Sequence, residues 1–155
     1  MLHFGLPVAL AILVADQVSK LLLIDYVTGA GGAVEVAPFF DLVMVWNTGV
    51  SFGMFQSGEG GWWVLSLLSL AIATGLLFWL RRAESRWLAV GLGAVIGGAL
   101  GNVVDRIAYG AVADFFDLHV AGYHWPAFNI ADSAIVVGVG LLILDSLFTR
   151  DKAVK

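Results

Sequence analysis

Apolar residues run almost unbroken through four stretches of the chain: 4–27, 62–80, 88–108 and 130–148. Each is about 20 residues long, the length at which an α-helix crosses the hydrocarbon of a bilayer. The pattern predicts an all-α membrane protein with four transmembrane helices. Between the first two stretches the pattern changes. Val34–Val36 and Asp41–Trp46 are rich in strand formers and are separated by Pro38. Gly29, Gly31 and Gly32 precede them, and Gly58, Gly60 and Gly61 follow. A small β-sheet element over residues 28–61, resting on the membrane surface, is the expectation. Residues 109–129 read as a loop that returns the chain from the third span to the fourth. The whole chain, 1–155, is expected to form a single integral membrane domain.

Polar residues interrupt the apolar runs at few places, and each has a bland explanation beside a functional one. Asp16 and Lys20 stand at i and i+4 on one face of span one, in the favourable acid-first order. They form either a self-paired couple inside the bundle or a support for a site, because ionisable groups at membrane depth mark function by default. In span three, Gly93, Gly97 and Gly101 recur every four residues, and Ala94, Gly98, Asn102 and Arg106 form the adjacent stripe. Small residues at that spacing let helices approach closely. Asn102 and Arg106 either bridge helices or face a polar site, and Asp105 with Arg106 could be a local pair. Asn129 and Asp132 have the spacing of a capping box at the start of span four. Asn47-Thr48-Gly49 reads first as a turn. Phe52, Met54 and Phe55 are placed to dip into lipid. Asp145 falls near the far end of span four and receives no role.

Composition strengthens the membrane reading. The 155 residues are 60% hydrophobic and 13% charged, with a mean hydropathy of +0.92. A soluble domain has about 25% charged residues, so too little polar surface is available to cover a globule in water. A net charge of −4 argues against nucleic acid, and with no cysteine the chain has neither thiolate chemistry nor a cysteine metal site. Six of the eight basic residues set the topology. Arg81, Arg82 and Arg86 lie between spans two and three, and Arg150, Lys152 and Lys155 follow span four. The positive-inside rule puts both groups, and hence both termini, in the cytoplasm. Residues 28–61 and 109–129 hold no Lys or Arg and belong outside.

The outer segment 113–133 concentrates the reactive side chains. Asp114 follows span three and Asp132 opens span four, so the returning loop can bring the two carboxylates together at the outer edge of the hydrocarbon. Two close carboxylates in a poorly hydrated site share one proton. The ionised member can take a proton from water while the protonated one polarises a carbonyl, which is amide hydrolysis without a metal or a covalent intermediate. Two alternatives use neighbouring residues. His119 or His124 with Ser51 or Ser133 would make a nucleophile, but no serine stands in a nucleophile-elbow pattern. Asp114, Asp117, His119, His124 and Asp132 have the donor types for a divalent ion, but their spacing matches no standard pattern, and neither metal nor cofactor is expected. From other classes, a small transporter would use Asp16, Lys20 and Arg106 as a polar pathway, with Asp16 near mid-membrane. A non-enzymatic subunit of a larger complex is the third class.

Five stretches together resemble the bacterial lipoprotein signal peptidases, also called signal peptidase II. They are Asp16–Lys20, Asn47–Gly53, Gly98–Arg106, Val112–Phe115 and Phe128–Ser133, in the family's order. Val50-Ser51 departs from the alanines more usual there. The resemblance implies an aspartyl endopeptidase of the bacterial inner membrane with its site at the periplasmic face. It would cut diacylglyceryl-modified prolipoproteins just before the lipidated cysteine. By motif, Asp114 and Asp132 are implied as the catalytic pair. Asn47, Asn102, Arg106 and Asn129 are implied to hold substrate or order the site, and Asp16 and Lys20 to support it. Globomycin-type inhibitors, membrane lipid and a monomeric chain are also expected.

Overall fold

A computed structural model describes residues 1–49 and 61–150. Phe52, Met54, Phe55, Val50, Ser51, Gly58, Gly60, Lys152 and Lys155 lie outside the described residues. Four long helices occupy the predicted spans: α1 Leu2–Gly29, α2 Gly61–Arg81, α3 Arg86–Tyr109 and α4 Ile130–Arg150. All four are long and apolar enough to cross a membrane. Strands β1 (Ala33–Ala37) and β2 (Phe40–Asn47) form where expected, across the turn at Pro38.

The connection between α3 and α4 is not the loop that the apolar pattern suggested. It contains β3 (Val112–Val120) and β4 (Tyr123–His124), and these complete an antiparallel sheet in the order β1-β2-β3-β4. The segment VADFFDLHV carries strand-forming side chains and no proline, but its partner β2 is remote in sequence, so local pattern alone does not reveal the pairing. Gly110 makes the transition possible. It ends α3 in the left-handed conformation, φ 71°, where a residue with a Cβ is strained, and turns the chain directly into β3.

Helix α3 is the axis of the bundle. Most of it is buried, whereas α1, α2 and α4 expose large apolar side chains such as Leu10, Leu22, Leu67, Val136 and Phe148. An outward apolar belt of this kind suits lipid and would be untenable in water. The two stripes on α3 serve different neighbours. Gly93 and Gly97 lie against the backbone of Gly5 and Ala9 in α1, and Gly101 against the Asp16 carboxylate. Gly98 lies against the carbonyl of Ala131 in α4, and Gly91 and Gly138 face each other lower down. A Cβ on Gly97 would stand 2.5 Å from the Ala9 carbonyl oxygen. Gly97→Ala is therefore expected to destabilise the bundle by about 1–3 kcal/mol through overpacking. Gly140→Ala, with open space around it, is the neutral control. Unfolding in mixed micelles measures both, and equal stabilities would contradict the close α1–α3 approach.

Candidate functional site

The site lies where β3 and the first turn of α4 meet the α1 and α3 helices. β2 pairs with β3 so that Val45 faces Asp114 and Asn47 faces Val112. Asp114 is almost fully buried there. Its two oxygens accept hydrogen bonds from Asn47 Nδ2 at 3.1 Å and Asn129 Nδ2 at 2.8 Å. Asn47 also makes the turn that its sequence suggested, since its Oδ1 accepts the Gly49 N–H at 3.1 Å. One side chain does both.

The same holds at α4. Asn129 caps the helix by accepting the Asp132 N–H at 2.9 Å, and Asp132 Oδ2 accepts the Asn129 N–H at 3.3 Å. This is the reciprocal capping box. Its amide nitrogen nevertheless reaches Asp114, so Asn129 ties the two acids to one another. Asp132 Oδ1 accepts Asn102 Nδ2 at 2.8 Å, and Asn102 Oδ1 faces Asn129 Nδ2 at 3.2 Å. Asp114, Asp132, Asn47, Asn102 and Asn129 are thus a single hydrogen-bonded cluster. Arg106 is buried one turn beyond Asn102, its Nη1 3.4 Å from the Asn102 carbonyl, and lies within electrostatic reach of Asp132, Asp105 and Asp114.

Burial, and then the charge of Asp132, push the Asp114 carboxyl from the usual carboxylate range up to about 7, against the opposing bonds from Asn47 and Asn129. The negative charge of Asp132 is one cause of that rise. Burial is the larger cause, so the Asp114 carboxyl is held high mainly by its loss of water, with the nearby Asp132 adding to the effect.

Asp16 and Lys20 are buried, and their partner was not among the residues expected. Lys20 Nζ lies 2.7 Å from Asp16 Oδ2 and 2.8 Å from Asp105 Oδ2. Asp105 therefore faces Lys20 and is not the local partner of Arg106 that their adjacency suggested. Gln17 Nε2 also bonds both acids, at 3.1 and 2.9 Å. Two backbone hydrogen bonds to these acids explain the arrangement. Asp16 Oδ1 accepts the N–H of Ala131 at 2.9 Å, and Asp105 Oδ2 accepts the N–H of Ala113 at 3.0 Å. Each bond holds the residue immediately before one of the two acids, Asp132 and Asp114. Asp16 thus sits at the level of the first turn of α4, not at mid-membrane, and its charge and that of Lys20 are spent on each other and on Asp105. This closed group does not make the polar pathway that a transporter would need. Asp105 was missed because sequence adjacency pointed to Arg106. Its i, i+4 relation to Gly101, which the same stripe carries towards Asp16, was the available signal.

Neither a Ser133–histidine arrangement nor a metal site that includes Asp114 and Asp132 is assembled among the described residues. Ser133 Oγ donates to the Asn129 carbonyl at 2.9 Å, and His124 Nδ1 faces Asp117 at 2.8 Å. Asp117, His119 and His124 gather on the sheet, apart from Asp114 and Asp132. Asp145 contacts Ser85, the N-cap of α3. Beside Asp132 a cavity of about 590 Å³ runs along α4, bounded by Trp125, Phe128, Ser133, Val136 and Val137. Asp132 and Ser133 form its polar end, and its remaining wall is apolar.

Known proteins resemble this chain over nearly its whole length. Residues 8–148 match the family model described as signal peptidase (SPase) II. A lipoprotein signal peptidase of Methylorubrum extorquens is 54% identical, covering 96% of this chain and 88% of that one. One of Nitrobacter hamburgensis is 50% identical, covering 99% and 97%. A solved bacterial membrane enzyme superposes with a TM-score of 0.81 at 28% identity, over 98% of this chain and 92% of its own.

Proposed function

This chain belongs to the signal peptidase II family of aspartic proteases, and we propose that Asp114 and Asp132 are its catalytic pair. It is a multi-pass membrane protein that removes signal peptides from prolipoproteins. The observation that carries the assignment of the pair is the shared cluster: Asn129 bonds both acids, and Asn102 and Asn47 bond one each. In the resting state the two acids share one proton. A water between them loses a proton to the ionised carboxylate as its oxygen attacks the scissile carbonyl. The protonated acid gives its proton to that carbonyl oxygen. Collapse of the tetrahedral intermediate passes a proton to the leaving nitrogen, the C–N bond breaks, and the pair again shares one proton. Asn47, Asn102, Asn129 and Arg106 hold the acids or the substrate backbone. Asp16 and Lys20, together with Asp105, fix the two elements that carry the acids.

The chain acts as a single membrane domain and a monomer in the bacterial inner membrane, with cytoplasmic termini and the sheet at the periplasmic face. Arg81, Arg82 and Arg86, at the α2–α3 connection, flank the end of the bundle away from the sheet, which supports that orientation. The substrate carries a diacylglyceryl group on the cysteine after the scissile bond. The apolar cavity beside Asp132 suits acyl chains entering from lipid, and a globomycin-type peptide would occupy the same cleft. Lipid anchorage fixes the depth of the scissile bond and supplies remote binding energy. An unmodified precursor peptide is therefore expected to be cleaved at least about 100-fold more slowly in kcat/KM, the order of one or two well-buried apolar groups at ~1.5–3 kcal/mol each. Parallel assays on modified and unmodified peptides measure this. Equal turnover would defeat the positioning role of the lipid.

A further inference from the structure

We propose that the sheet carries a second, non-catalytic site for one divalent transition-metal ion of the zinc kind, formed by Asp41, Asp117, His119 and His124. These four residues come from three strands and share one face. Asp41 and Asp117 are directly opposed across β2 and β3, and His119 and His124 across β3 and β4. Strand alternation sends Asp117 and His119 to the face away from Asp114. The donor atoms converge. One ligand atom each from Asp117, His119 and His124 lies within 4.8 Å of the others, and Asp41 Oδ2 is 3.9 Å from His119 Nδ1.

Three of these donors are buried without a hydrogen-bond partner among the described residues: Asp41 Oδ1, Asp117 Oδ1 and His119 Nδ1. Asp117 itself is nine-tenths buried. Orphaned buried polar atoms are costly, and three in one cluster call for a ligand. Two carboxylates set directly opposite on a sheet also repel one another. A cation between them answers both problems, whereas a neutral ligand answers only the first. Two imidazoles beside two carboxylates suit zinc and similar ions in tetrahedral coordination, and not the all-oxygen shells of Ca²⁺ or Mg²⁺. The His124 ring is half exposed, so an ion has a path from solvent. Closing on the metal needs only a small contraction of the ligands, with the His124–Asp117 hydrogen bond replaced by coordination. The ion would clamp β2, β3 and β4 together without touching the catalytic pair.

The test is a Zn²⁺ titration of the tag-free, detergent-solubilised chain by calorimetry, with Co²⁺ absorption as the reporter of geometry. One saturable equivalent and tetrahedral Co²⁺ bands are expected. Zn²⁺ should also raise the thermal midpoint, since only the folded chain binds it. His119→Ala and Asp117→Asn should each weaken binding at least about tenfold, and Asp114→Asn should leave it unchanged. His124→Ala, at an exposed position, keeps the fold and the protease activity while losing affinity. Absence of saturable binding, wild-type affinity in His119→Ala or Asp117→Asn, or loss of binding in Asp114→Asn would each overturn the proposal. Because activity without metal is not part of these readouts, they stand apart from the identity of the catalytic acids.

Discussion

Asp114→Asn and Asp132→Asn each stop processing of a diacylglyceryl-modified precursor, with the helical fold and thermal stability retained. Asparagine preserves the shape of the carboxyl and most of the cluster's hydrogen bonds, so neither Asn129 nor Asn102 is left without a partner. What disappears is the proton relay. General acid–base groups contribute about 10²–10⁴-fold, and each variant removes one half of a unit that works only as a pair, so a loss of at least about 100-fold is expected. A peptidase assay and circular dichroism on the same preparations decide the matter. Normal turnover in either variant would dismiss that residue as a catalytic acid. The same pair sets a pH dependence. Asp114 stays protonated up to about 7, so kcat/KM falls as pH rises through that region and the shared proton is lost. On the acid side it falls as the second carboxylate is protonated. The limits are macroscopic and belong to the pair. Asp132→Asn deletes the anionic neighbour that helps to raise the Asp114 carboxyl, so that carboxyl then titrates at lower pH, which carboxyl-carbon NMR can follow.

The second large effect is on Lys20. Its ammonium is the common counter-ion of two buried carboxylates, Asp16 and Asp105. Lys20→Met leaves both without a cation in a place that excludes water, and breaking a buried pair by removing one partner costs about 3–5 kcal/mol. A functional loss should accompany it. The carboxylates that Lys20 holds accept the N–H groups of Ala131 and Ala113, so their displacement moves the backbone just before each dyad acid. Asp105→Asn is milder, because its side-chain oxygen can still accept the Ala113 N–H while Lys20 keeps Asp16. Unfolding in mixed micelles, with kcat and KM on the surviving folded fraction, separates the two contributions. Lys20→Met with wild-type stability would show that the triad is only a crystal-like arrangement of charges with no energetic weight. The activity of the purified single chain bears on the remaining class of reading, since a non-enzymatic subunit would be silent alone.

Much of this protein is written locally. Four apolar runs dictate four helices because a bilayer leaves the backbone no partner but itself. The every-fourth-residue glycines of α3 announce close packing whichever helices are the neighbours. Asn129 and Asp132 declare a capped helix start from their spacing alone. What the linear pattern could not decide is which remote groups meet. The strand that carries Asp114 looked like a loop because its partner β2 is far away in sequence, and a sheet is made by pairing, not by propensity. Asp105 looked like a mate for Arg106 because the two are adjacent, yet a helix points adjacent side chains in different directions and turns Asp105 towards Lys20. The same separation divided one apparent group of acids and histidines in two. Strand alternation sent Asp114 inward to Asp132, and Asp117 with His119 to the other face of the sheet.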